Sequence, residues 1–144
     1  MTRYILDASA LLRFTDKEKG WQRVEQVITE AAAGKATLLM TSVNWGEVAA
    51  SVYKRNRDAL QTRSVLTRLK ALPIQVVEVD DTLAETAAFL KVNDKLPFAD
   101  AFAAALLSQE SSGKSKELPV LLTADFDFKN VSNTSLRIEF LSAK

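Results

Sequence analysis

Short apolar runs alternating with stretches of helical periodicity are the feature that most constrains this chain. RYIL (3–6), ATLLM (36–40), IQVVEV (74–79), PVLLT (119–123) and LRIEFL (136–141) have the length and aliphatic content of buried strands. Between them, ASALLRF after Asp7 makes a helical turn, and a helix follows the DKEKG break at about 20–33. Two more are expected near 43–57 and 59–71, ended by Pro73, and another carries Leu83, Ala87 and Leu90. A last helix runs from Pro97 to about Gln109, and polar SSGKSKE (111–117) is the expected flexible loop. Strand and helix in alternation build βαβ units, so the expected fold is a three-layer α/β/α sandwich with a mostly parallel central sheet. At 144 residues the chain reads as one domain, residues 1–144.

Two residue types are missing: there is no Cys and no His. Disulfides, zinc sites built on Cys or His, His-activated nucleophiles and His-based acid/base cleavage of RNA are thereby excluded. Any catalysis falls to carboxylates, hydroxyls, Lys or Arg, and clustered carboxylates call for a hard divalent cation. No apolar run approaches the roughly 18 residues of a membrane span, and MTRYILDAS does not read as a targeting segment, so a cytoplasmic protein is expected.

Four acids are expected at one edge of the sheet. In parallel α/β sheets ligands bind beyond the carboxyl ends of the strands, and Asp7 follows the first strand while Asp125 follows VLLT. Crossover helices begin at that same edge, which brings in Asp100, in the first turn of the helix from Pro97. That helix, ADAFAAALL, is apolar all round and should be buried. Glu47 lies early in the helix whose packing stripe is Trp45, Val48, Ala49, Val52 and Tyr53; at 100° per residue it points about 200° from Trp45, toward solvent or the cleft.

Each acid also has a local explanation. Asp7 can cap the segment after it, Asn44 and Glu47 can form a variant capping box, Asp100 can complement a helix dipole, and Asp125 with Asp127 can close a turn. Together the local explanations weaken, because gathered carboxylates repel by about 4 kcal/mol per pair at 4 Å and an effective dielectric near 20. Oxygen-only ligands then select Mg²⁺, or Mn²⁺, over Zn²⁺. Phe126 and Phe128 are expected to pack beneath the Asp125–Asp127 turn. The cationic run from Lys54, Arg55 and Arg57 to Lys70 suits a phosphate backbone, or is simply a solvated helix face.

YILDASALL, NWGEV, LPFADAFAAALL and LLTADFDF, in that order and spacing, resemble the PIN-domain nucleases, and within them the toxins of VapBC-type toxin–antitoxin pairs. The resemblance spans nearly the whole chain. It implies a Mg²⁺- or Mn²⁺-dependent endoribonuclease with Asp7, Glu47, Asp100 and Asp125 as metal ligands and catalytic acids. Ser9, Thr123 and Asp127 would support them. It further implies a structured RNA substrate such as tRNA or rRNA, an antitoxin partner, a homodimer, and products with 5′-phosphate and 3′-hydroxyl ends. Two other classes compete: a receiver-like phosphoacceptor module, which wants paired acids after the first strand and a late Lys, and a non-catalytic scaffold that binds RNA through the cationic run.

Overall fold

The computed structural model of the chain describes residues 1–113 and 116–141. Strands β1 (Thr2–Leu6), β2 (Ala36–Thr41), β3 (Ile74–Val77), β4 (Val120–Thr123) and β5 (Arg137–Phe140) form one sheet in the order β3-β2-β1-β4-β5. All four adjacent pairs are parallel. Six helices connect them: α1 (Ala8–Asp16), α2 (Trp21–Ala32), α3 (Ser42–Asn56), α4 (Ala59–Lys70), α5 (Asp81–Asp94) and α6 (Phe98–Ser111), with a short 3-10 turn at Phe126–Asn130. This is the expected three-layer architecture.

Successive strand residues point to opposite faces, and both faces of this sheet are covered. Tyr4, Leu6, Leu38, Met40 and Leu122 join a core with Leu11, Val24, Ile28, Val48 and Leu69 from α1 to α4. Ile5, Leu39 and Leu121 join another with Leu83 and Ala87 of α5 and Leu106 and Leu107 of α6. Burial on both sides explains why these strands read as continuous apolar runs rather than as alternating ones. In α6 every residue from Asp100 to Leu107 is buried, because the helix is enclosed by the sheet, α3, α5 and the 3-10 turn.

Three details depart from the sequence reading. β3 ends at Val77, not Val79, because its ladder partner β2 runs out at Thr41; the Val79 amide turns to the Ser42 hydroxyl, 3.3 Å away. The expected turn after Asp7 is a full nine-residue helix, α1. On α3 only Asn44 and Val48 are fully buried, and Tyr53 is 43% exposed. It borders a cleft whose α4 wall is Ala59, Thr62, Arg63 and Leu66, mostly too small or polar to cover a ring. The expected loop at 111–117 begins after α6, and its residues 114 and 115 lie outside the described residues. Among the described residues no helix is long and apolar enough to cross a membrane.

The chain leaves β1 toward β2 on one side and returns to β4 on the other. The order therefore reverses between β1 and β4, which opens a crevice beyond their carboxyl ends. Asp7 directly follows β1, and Asp125 lies two residues past β4.

Candidate metal centre

Asp7 is held on both oxygens. As N-cap of α1 it accepts the Ala10 amide at 3.0 Å and the Ser9 hydroxyl at 2.7 Å on Oδ1, while the Thr123 hydroxyl donates to Oδ2. The local reading of Asp7 as a cap and its place in an acid site are thus the same geometry. Burial is the main reason its pKa is raised to about 6; Thr123, Ser9 and Ala10 pull the other way, and the charge of Asp125 adds to the rise. The two hydroxyls also fix the strand end, because Ser9 Oγ accepts the Ala124 amide and Thr123 Oγ1 the Asp125 amide, each at 2.9 Å.

Asp100, Asp125 and Asp127 each offer a carboxylate oxygen, and these three oxygens lie within 4.8 Å of one another. Asp125 caps the 3-10 turn by accepting the Asp127 amide at 2.9 Å, so the turn explanation of this pair also holds. Asp100 is 7% exposed, and its Oδ2 has no hydrogen-bond partner among the described residues. Burial, then the adjoining Asp125 carboxyl, then the charges of Asp7 and Glu47 raise its pKa to about 8. The helix dipole cannot balance that, being worth about 1 kcal/mol. A buried carboxylate with an unsatisfied oxygen beside other acids is a costly arrangement, and it matches what a hard divalent cation with oxygen ligands requires. The donor set therefore fits Mg²⁺ or Mn²⁺. The compact group takes in Asp127, which the sequence suggested only as a support, while Asp7 is committed to three donors.

Glu47 is exposed on α3, on the cleft side: its Oε1 accepts Asn44 Nδ2 at 3.0 Å, and its charge acts on Asp100. The capping-box explanation of Asn44 and Glu47 is corrected by the geometry. Thr41 is the N-cap, with Oγ1 accepting the Asn44 amide at 3.1 Å and donating to Asn44 Oδ1 at 2.6 Å. Sequence reasoning named Asn44 only as a cap and missed its place in the site. Fully buried, it also donates to the Ala99 carbonyl at 3.1 Å, tying α3 to the residue before Asp100. Its signal in the sequence was an amide one helical turn before Glu47, on the same side as Val48. One acid was overlooked: Asp94, at the end of α5, is buried and accepts the Ser132 hydroxyl at 2.8 Å.

The cationic run lies elsewhere. Lys54, Arg55 and Arg57 sit at the far end of α3, roughly 10–15 Å along its axis from Glu47. Arg55 is engaged by Asp16, with Nη1 2.6 Å from Oδ1, and Arg57 caps the helix in a left-handed conformation at φ 53. The two phenylalanines of the turn also part company: Phe128 is 1% exposed and packs beneath it as expected, but Phe126 is 54% exposed and does not. A receiver-like site wants a lysine soon after a late strand; none precedes Lys129 past β4, and Lys129 lies over the Phe126 ring, 4.9 Å from its centroid.

By sequence alone, no curated protein matches the chain. Several solved structures share its fold. VapBC2 from Rickettsia felis, bound to a promoter DNA fragment, aligns with a TM-score of 0.71 at 13% identity, covering 98% of this chain and 100% of that one. DNA-bound VapBC from Salmonella typhimurium gives 0.70 at 14% identity, covering 99% and 100%. Mycobacterium tuberculosis VapC20, described as a sarcin-ricin loop cleaving toxin, gives 0.65 at 15% identity, covering 93% and 98%. The PIN domain family profile matches residues 4–133, most of the chain, and the chain belongs to the PIN domain family.

Proposed function

We propose that the protein is a metal-dependent endoribonuclease and the toxin of a toxin–antitoxin pair. The observation that carries this reading is the buried Oδ2 of Asp100, unpartnered among the described residues, beside Asp125 and Asp127. Asp100, Asp125 and Asp127 would hold Mg²⁺ or Mn²⁺ together with Glu47, and Asp7 would complete the acidic wall. A bound ion of this kind lowers the pKa of water and neutralises a phosphate oxygen. The chain's own residues supply order: Ser9 and Thr123 hold Asp7, Asn44 holds Glu47, and the Asp127 amide holds Asp125. With no His present, the acids and the water they orient carry the proton transfers.

VapBC complexes among the fold relatives support an antitoxin as partner, and the description of VapC20 supports an RNA substrate. A homodimer acting in the cytoplasm completes the reading, with Lys54, Arg55 and Arg57 as a remote phosphate-binding surface. The test is cleavage of total cellular RNA by wild type, Asp7→Asn and Asp100→Asn in Mg²⁺ and in EDTA. Wild type should leave 5′-phosphate and 3′-hydroxyl ends only with the metal, and both variants should fall to background. Variants that cleave at the wild-type rate refute the mechanism.

A further inference from the structure

The 3-10 turn that supplies Asp127 also presents a ring that the fold does not bury. Phe126 stands between the two acids in sequence with 54% of its surface exposed. Single exposed apolar residues are ordinary, but three features set this one apart. Its ring stacks on Phe140, with centroids 5.7 Å apart and planes at 24°, so one side is supported. The Lys129 ammonium lies 4.9 Å from its centroid and 5.8 Å from that of Phe140, which places a cation at the pair. Phe126 also lines a cleft of about 570 Å³ with Ser9, Leu12, Arg13, Glu18, Asp125 and Asp127. Arg13 is steadied there by donating to the Lys19 carbonyl at 3.2 Å.

Aromatic, cation and metal-binding carboxylates thus share one cleft. That combination suits an unpaired nucleotide, whose base stacks on a ring while its phosphates meet the charges. We propose that Phe126 is the stacking platform for an unpaired base flanking the phosphodiester held at Asp100, Asp125 and Asp127. The proposal rests on the reading of the acid cluster as an RNA-cleaving site. Arg13 and Lys129 neutralise the neighbouring phosphates. A base inside a duplex cannot reach the ring, so the substrate is a loop, bulge or single strand. Since every base has a π-face, the platform adds affinity and register with little sequence preference.

The probe is a set of short single-stranded RNAs, each with 2-aminopurine at one successive position, mixed with wild type, Phe126→Leu and Phe126→Trp. Leucine keeps an apolar contact to Phe140 but offers no ring, and thermal midpoints check that both variants fold. Wild type and Phe126→Trp should quench the fluorophore at one position, and Phe126→Leu should not, with Kd weakened on the order of tenfold. Removing the base at that position should weaken wild type to the same extent and leave Phe126→Leu unchanged, which a merely structural role for Phe126 would not produce. Equal quenching and Kd in wild type and Phe126→Leu overturn the proposal, as does equal loss on intact and abasic strands. Cleavage in Mg²⁺ is read separately. Cleavage without ring-dependent quenching defeats the platform alone, and ring-dependent quenching without cleavage defeats the nuclease reading while upholding the platform as a binding surface.

Discussion

Replacing Asp100 by Asn should stabilise the metal-free protein, and increasingly so as pH rises. In the folded chain Asp100 keeps its proton to about pH 8, whereas the ordinary value is 3.8. Between those limits the folded state binds more protons than the unfolded one, so stability falls as pH rises through that window and levels off above it. A shift of this size corresponds to roughly 6 kcal/mol. Water entering a metal-free cleft and relaxation of the half-buried Asp125 reduce that to about 2–3 kcal/mol. Asn is nearly isosteric with the protonated acid, so the two proteins should match only at about pH 4 and below, where the unfolded-state carboxyl is protonated as well. For a domain of this size each kcal/mol moves Tm by about 2–4 °C. The difference in Tm between Asp100→Asn and wild type in EDTA should therefore grow by about 5–10 °C from pH 4 to pH 9. Taking the difference cancels the titrations of groups remote from Asp100, leaving those of Asp100 and of the neighbours whose charges act on it, Asp125, Asp7 and Glu47. Mn²⁺ at pH 8 should raise the wild-type Tm and leave the variant's almost unmoved. A pH-independent difference would refute the claim that ionised Asp100 is penalised without a cation.

Thr123→Val removes the donor to Asp7 Oδ2 and the acceptor of the Asp125 amide; urea unfolding should show a loss of about 1–3 kcal/mol, and carboxyl NMR should find Asp7 titrating above its present value of about 6. Unchanged titration would show that the hydroxyl does not tune Asp7. Asn44→Ala strands the Ala99 carbonyl and frees Glu47, so metal affinity by calorimetry should drop alongside a loss of roughly 1–3 kcal/mol in stability; intact affinity would break the link from Asn44 to the site. Arg55→Ala gives up a pairing at the surface and should change stability by less than about 1 kcal/mol. Lys54→Ala and Arg57→Ala should each flatten the salt dependence of RNA binding by somewhat under one log unit per log unit of salt; an unaltered slope removes that surface from the RNA path.

Much of the fold was legible because each element carried its own local signal. The aliphatic runs needed only their length and flanking breaks to read as strands, and ADAFAAALL, with no polar side of its own after Asp100, could only be a buried helix. Asp7 and Asp125 were placed at one edge by their position after strands, which the parallel register maintains. What escaped the sequence were partnerships between distant residues. Asn44 and Ala99 are 55 positions apart, and Asp94 and Ser132 are 38 apart, so no periodicity links them. The opposite fates of Phe126 and Phe128 depended on which ring the turn aims inward, a matter of a few backbone angles.

By itself, then, the sequence determined the chemistry open to this protein and the layout that hosts it: no Cys, no His, parallel strands, and acids after their ends. These follow from residue type and local spacing, which act within a turn or a strand. Tertiary structure alone decided which acids meet. It committed both oxygens of Asp7 to hydroxyl and amide donors, drew Asp127 in beside Asp100 and Asp125, and left one buried oxygen of Asp100 without a partner among the described residues. Those outcomes depend on ångström-scale distances between segments that only the packing of α6 against the sheet brings together.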